Sequence, residues 1–126
     1  MPFDRTVSGD WIVGTDRFRL GDPLSYYSPR LGKVFTAPFD FDTDFSSIPP
    51  IAWTILKLTP TSHKVRRAGV IHDYLYRTGI VSRAVADQLF YDMIREEGLG
   101  YVRGQLCWQA LRVFGGVNYK GAQDGK

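Results

Sequence analysis

The second half of the chain carries apolar residues at helical spacing. Apolar positions recur every three or four residues from His63 to Arg77, from Arg83 to Glu97 and from Val102 to Phe114. This period predicts three amphipathic helices. Gly79 and Gly98 follow the first two stretches, as is typical of helix C-termini. We therefore expect a three-helix part over residues 62–116, followed by a flexible tail over 117–126.

The first half has a different pattern, because glycines and prolines divide residues 7–45 into pieces only a few residues long. Aromatic and β-branched residues, which favour strands, are concentrated in several of these pieces. The predicted strands are Trp11 to Val13, Phe18 to Leu20, Leu24 to Tyr27 and Lys33 to Thr36. A small antiparallel sheet or meander is expected, and the apolar run at 51–58 after a double proline predicts a short helix. The expected fold class is α+β.

Length and composition favour one globular domain over residues 1–126. The 126 residues are 44% hydrophobic and 23% charged, and the net charge is only +3. A mildly basic chain without a dense Lys/Arg stripe gives no reason to expect specific nucleic-acid binding. Cys107 is the only cysteine, which excludes an internal disulfide and suggests a core position. The sequence shows neither the apolar region of a signal peptide nor a membrane-spanning stretch, so we expect a protein that is not transmembrane.

His72 and Asp87 are expected to meet across the first two helices. The link from Thr78 to Val81 has only four residues, so these helices should pack side by side and antiparallel. His72 lies as far before the middle of this link as Asp87 lies after it. A carboxylate that binds one imidazole nitrogen fixes the tautomer and leaves the other nitrogen for proton transfer. Tyr76, one turn beyond His72, is predicted to donate to the same carboxylate. A buried pair that only fixes the hairpin register is the open alternative.

An acidic run precedes the helices. The sequence FDFDTDF at Phe39 to Phe45 places Asp40, Asp42 and Asp44 on one face if the segment is extended. Asp73 points away from the His72 pair on an ideal helix and is predicted to bind a cation. If Asp44 approaches it, the two carboxylates form an oxygen-rich site suited to Ca²⁺ or Mg²⁺. A solvated loop is the alternative for the acidic run.

Four motifs resemble those of an uncharacterised family of small proteins encoded by tailed bacteriophages and prophages. They are TDFSSIP at Thr43 to Pro49, IHDYLY at Ile71 to Tyr76, SRAVADQLFYDMI at Ser82 to Ile94 and LRVFGG at Leu111 to Gly116. This resemblance implies a viral or prophage origin and synthesis in the host cytoplasm, with association with the virion as an open alternative. It brings no established activity.

A second, local resemblance concerns HDYLYR followed by ADQLFYDM, which is similar to the active-site helices of secreted phospholipases A2. The resemblance implies that His72 is the catalytic base and that Asp73 holds Ca²⁺. It also implies that Tyr76 and Asp87 orient the histidine. Together with the acidic run, it favours a metal-dependent acyl hydrolase acting on a lipid or cell-envelope substrate.

Two other classes of function stay open. In a non-enzymatic tail, baseplate or accessory protein, the His72 pair would only stiffen the hairpin, and exposed Tyr26, Tyr27 and Trp53 would contact other phage structural proteins. A host-defence antagonist that binds a small molecule is the third class. The arginines are scattered along the predicted helices, which indicates solvated faces. They are Arg66, Arg67, Arg77, Arg83, Arg95, Arg103 and Arg112.

Overall fold

The computed structural model describes residues 9–11, 18–43, 51, 52, 54 and 63–114. Within these ranges, five short strands are followed by three helices whose bounds are given below, so the predicted α+β class is confirmed. The strands are β1 Gly9–Trp11, β2 Phe18–Leu20, β3 Leu24–Ser28, β4 Lys33–Ala37 and β5 Asp42–Thr43. The helices are α1 His63–Thr78, α2 Arg83–Glu96 and α3 Tyr101–Phe114.

The described strands form two small antiparallel sheets. One sheet has the order β1-β2-β5, and the other is the β3-β4 hairpin, in which Tyr26 pairs with Phe35. The first strand is Gly9–Trp11 rather than Trp11 to Val13, and residues 12 and 13 lie outside the described part. The other three predicted strands begin where they were expected. Residues 51, 52 and 54 are helical, whereas the remainder of the predicted 51–58 helix and the 117–126 tail lie outside the described residues.

Local signals in the sequence explain where the helices begin and end. The side chain of Ser82 caps α2 by accepting a hydrogen bond from the Val85 amide at 3.2 Å. Gly79 follows α1 with a φ of 65°, and its amide donates to the Leu75 carbonyl at 2.9 Å. Gly98 follows α2 with a φ of 102°, a conformation that glycine adopts without steric cost. The link between α1 and α2 is therefore short and tightly turned, as predicted.

The core lies between the helices and the inner faces of the strands. α1 packs on α2 and also contacts β3, β4 and β5, while α3 packs on α2. The largest fully buried side chains come from both halves of the chain. They are Tyr26, Tyr76, Phe18, Phe90, Leu20, Ile71, Leu75, Leu89 and Met93. α1 therefore lies between α2 and the strands, so polar side chains on either of these two sides are enclosed. None of the described helices is long and apolar enough to cross a bilayer.

Two expectations about individual side chains were wrong, and a third position adopts one of its two alternatives. Tyr26 is fully buried, because alternate β3 residues face the core, whereas its neighbour Tyr27 is exposed. Arg67 is buried rather than solvated and forms an ion pair with Glu97. Asp40 has a φ of 71° and lies in a turn, as the loop alternative for the acidic run expected, while Asp44 and Phe45 lie outside the described residues. Trp53 has no described side chain.

Candidate functional site

The hairpin of α1 and α2 brings together three of the predicted site residues. His72 Nε2 lies 2.9 Å from Asp87 Oδ1, and the Tyr76 hydroxyl donates to the same oxygen at 2.5 Å. The rings of His72 and Tyr76 are 4.2 Å apart between centroids, and the Phe90 ring lies 5.1 Å from His72. All three polar residues have no exposed surface (0% for each). The predicted contact between the two helices therefore exists, in an enclosed setting.

Asp87 connects all three helices. Besides the two donors from α1, its second oxygen, Oδ2, accepts a hydrogen bond from Arg112 Nη1 on α3 at 3.0 Å. Arg83, one turn before Asp87 on α2, places its Nε 3.9 Å from Oδ2. The side chains of Arg112 and Arg83 are 34% and 25% exposed, so they connect the buried carboxylate with the protein surface.

The charge of Asp87 is stabilised by its partners. Burial by itself raises the pKa of this carboxyl, because a low-dielectric interior disfavours the charged form. The hydrogen bonds from His72, Tyr76 and Arg112, together with the charge interaction with His72, outweigh burial and lower the pKa below its usual range. Desolvation and the neighbouring carboxylate raise the pKa of the Tyr76 hydroxyl. An ionised Asp87 only accepts hydrogen bonds, so in this state Tyr76, Arg112 and the nearby nitrogen of His72 all act as donors to it.

Asp73, the predicted cation ligand, is bound to an arginine of its own helix. Its Oδ2 accepts a hydrogen bond from Arg77 Nη2 at 2.7 Å, and the residue is only 4% exposed. Arg77 Nη1 donates to the backbone carbonyl of Asp42 at 2.8 Å and lies 3.9 Å from the Asp42 carboxylate. The guanidinium also lies over the Phe41 ring, 4.8 Å from its centroid. Arg77 thus joins β5 to α1 and supplies the positive charge beside Asp73.

The predicted pairing of Asp73 with Asp44 stays a prediction, because Asp44 lies outside the described residues. Within the described ranges, no group of three or more His, Cys, Asp or Glu side chains is arranged to hold a metal ion. Asp40 is paired with Arg19 at 3.1 Å on the exposed side of β2. The described oxygens at Asp73 and Asp42 therefore already bind the guanidinium of Arg77.

Sequence reasoning missed Arg83 and Arg112, which were assigned to solvated helix faces. Both approach Asp87, and Arg83 Nη2 also donates to the carbonyls of Leu111 and Arg112 at 2.7 and 2.6 Å. The spacing of Arg83 and Asp87, four residues apart on α2, was the available signal for the first contact. No local pattern pointed to Arg112, since its position depends on how α3 packs against α2.

The fold and this cluster define the chain as an α+β domain with a buried His–Asp pair at the centre of a helical hairpin. Comparison with protein families then gives one assignment: the chain belongs to the family described as protein of unknown function (DUF1353), whose model matches residues 18–111. This range includes His72, Asp73, Tyr76 and Asp87. No curated protein and no solved structure matches the chain.

Proposed function

We propose that this DUF1353 protein is encoded by a bacteriophage or prophage and is an acyl hydrolase whose general base is His72. The observation that carries the proposal is the pair of short contacts to one oxygen of Asp87, from His72 Nε2 and from the Tyr76 hydroxyl. If the Asp87 carboxylate is ionised, it can only accept a hydrogen bond from His72, so the imidazole hydrogen lies on Nε2. Nδ1 then carries the lone pair that can take up a proton. The resemblance of these helices to phospholipase A2 supports an ester of a lipid or cell-envelope component as the substrate.

The proposed chemistry follows from that tautomer. His72 Nδ1 takes a proton from a water molecule as the water oxygen attacks the acyl carbonyl carbon. Asp87 stabilises the imidazolium that forms, and Tyr76 and Arg112 hold the carboxylate in place. When the tetrahedral intermediate collapses, the imidazolium returns the proton to the leaving alcohol. The sum of the steps is the hydrolysis of an ester to a carboxylic acid and an alcohol, with His72 restored.

Access to the base is the main requirement of this mechanism. His72 and Asp87 have no exposed surface in the described arrangement, whereas the side chains of Arg83 and Arg112 beside Asp87 reach solvent. The reactive form must therefore open enough to admit water and an acyl group to the histidine. Loop and lid motions that gate access to an active site are common in enzymes.

Of the two residues predicted to bind Ca²⁺, Asp73 is the one that lies within the described part of the chain. Carboxylate and carbonyl oxygens of the kind Ca²⁺ prefers are present at Asp73 and Asp42, but both bind Arg77. A bound cation would have to displace that guanidinium, so the described residues do not fit the ion as they stand. For this reason no step of the proposed mechanism passes through Ca²⁺.

The decisive experiment measures acyl hydrolysis with fluorogenic short-chain esters and with phospholipid vesicles, each with and without added Ca²⁺. Wild type should hydrolyse at least one of these substrates, and His72→Gln should lose the activity while keeping its helical circular dichroism. The matched control is His63→Gln, because the chain has two histidines and His63 is the first residue of α1, nine positions before His72. Activity that survives in His72→Gln, or is absent from wild type on every ester, contradicts the proposal.

A second candidate function is a non-enzymatic phage tail, baseplate or accessory component, in which the cluster only holds the fold together. The observation that favours it is the complete enclosure of His72 and Asp87 at the point where three helices meet. Exposed Tyr27 and the exposed apolar residues of α3, such as Tyr101 and Val102, would then contact other phage proteins. Purified virions provide the test, since mass spectrometry should detect the chain in stoichiometric amounts if this candidate is correct.

A further inference from the structure

The two oxygens of Asp87 have different partners. Among the described residues, Oδ1 accepts from two side chains of α1, His72 and Tyr76, at 2.9 and 2.5 Å. Oδ2 faces two arginines of the described part of the chain, with Arg112 Nη1 at 3.0 Å and Arg83 Nε at 3.9 Å. A carboxylate held in this way cannot rotate without losing a hydrogen bond on each side. The contact with Arg112 therefore fixes the rotation of the carboxylate relative to the imidazole.

The same contact contributes to the charge state of Asp87, together with the hydrogen bonds to His72 and Tyr76. A fully buried carboxyl group tends to keep its proton, since the charged form has lost its hydration. A protonated Asp87 could donate to His72 Nε2, and the imidazole hydrogen would then lie on Nδ1. An ionised Asp87 can only accept, and the hydrogen must then lie on Nε2. A guanidinium bound directly to Oδ2 favours the ionised form.

From these two observations we infer that Arg112 is a positioning residue, which sets the tautomer of His72 through Asp87. It holds Asp87 as an ionised, correctly rotated acceptor and so keeps the imidazole hydrogen on Nε2. The catalytic meaning of this role rests on the proposed function, because only the Nε2–H tautomer presents a basic Nδ1. The tautomer itself is a property of the folded protein and can be measured without a substrate.

Arg83 helps to hold Arg112 in place through the backbone of α3. Its Nη2 binds the backbone carbonyls of Leu111 and Arg112, at the C-terminal end of α3 where carbonyls lack helical partners. This contact ties the end of α3 to α2 and holds the backbone from which the Arg112 side chain extends. The position of Arg112 is therefore fixed both by its own hydrogen bond and by that of Arg83.

The test is long-range ¹H–¹⁵N NMR of the imidazole ring, which distinguishes Nδ1–H from Nε2–H by the two nitrogen shifts. In a His63→Gln background only His72 remains, so every imidazole signal is assigned. In its neutral imidazole form, His72 of the background protein should carry its hydrogen on Nε2. Arg112→Gln should give a clearly measurable Nδ1–H population, and Arg112→Lys, which keeps the charge, should restore most of the Nε2–H form.

The matched control is Arg103→Gln, which removes an exposed arginine from the same helix and should leave the imidazole shifts unchanged. The inference is overturned if His72 carries its hydrogen on Nδ1 in the background protein. This result needs no arginine variant, so the test remains decisive even if Arg112→Gln folds poorly. Identical imidazole shifts in folded Arg112→Gln and the background protein also overturn it. If wild type lacks esterase activity while the tautomer follows Arg112, the proposed function fails and the inference stands.

Discussion

Replacement of Asp87 gives the sharpest test of how the hairpin is held together. Asp87→Ala removes the acceptor of three hydrogen bonds, from His72, Tyr76 and Arg112. Loss of one partner of a buried charge cluster costs about 3–5 kcal/mol, and the lower part of that range applies because Arg112 can turn toward solvent. Asp87→Asn keeps the shape and one acceptor oxygen but loses the charge, so it should cost about 1–3 kcal/mol.

The expected change in melting temperature follows from the size of the chain. For a domain of this length, 1 kcal/mol corresponds to roughly 3–6 °C, so Asp87→Ala should melt about 10–20 °C below wild type. Thermal and urea unfolding, followed by circular dichroism at neutral pH, measure both variants. Asp92→Asn is a suitable control for the removal of a carboxylate, since Asp92 lies on the same helix but pairs with the more exposed Arg30.

The pH dependence of the same measurement identifies the charge as the cause. The folded-state pKa of Asp87 is lowered, so its contribution is fully present above the ordinary aspartate pKa of about 3.9 and is lost as the pH falls through the folded-state value. The stability difference between wild type and Asp87→Asn should therefore shrink on acidification below about pH 4. A neutral-pH difference close to zero, or a difference that grows in acid, would refute this account of the cluster.

Three further predictions concern other parts of the molecule. Arg77→Gln should gain Ca²⁺-dependent thermal stabilisation relative to wild type, because Asp73 and the Asp42 carbonyl lose their resident cation; equal Ca²⁺ responses would contradict this. Cys107 is fully buried and burial raises the pKa of its thiol to about 12, so a disulfide reagent should label it on the order of a hundredfold more slowly in native protein than in urea. Ser82→Ala should destabilise the protein by about 1 kcal/mol in urea unfolding, since the Val85 amide loses its cap.

The parts of the fold that could be predicted from sequence are those set by short-range geometry. The His72 to Asp87 contact follows from helical periodicity and a short link, because these two features fix the relative height of residues on neighbouring helices. The burial of Tyr26 was also available from the sequence. Tyr26 and Tyr27 are consecutive strand residues and must face opposite sides, so they cannot both be exposed anchors on one face. A loop was one of the two alternatives for the acidic run, but the left-handed backbone of Asp40 was not predictable, since no glycine marks it.

The contact of Arg112 with Asp87 was not predictable, because it depends on the orientation of a third helix. The segment between α2 and α3 contains Gly98 with a positive φ, and a glycine can direct the following chain in several ways. The orientation is set instead by close packing: a Cβ at Gly104 would lie 3.0 Å from the Tyr91 ring and 3.2 Å from Arg95. A glycine at that point lets α3 approach α2 closely, and this approach brings the arginine near the end of α3 within reach of the buried carboxylate. The residue inferred to control the histidine is therefore positioned by side-chain packing, which hydrophobic periodicity does not encode.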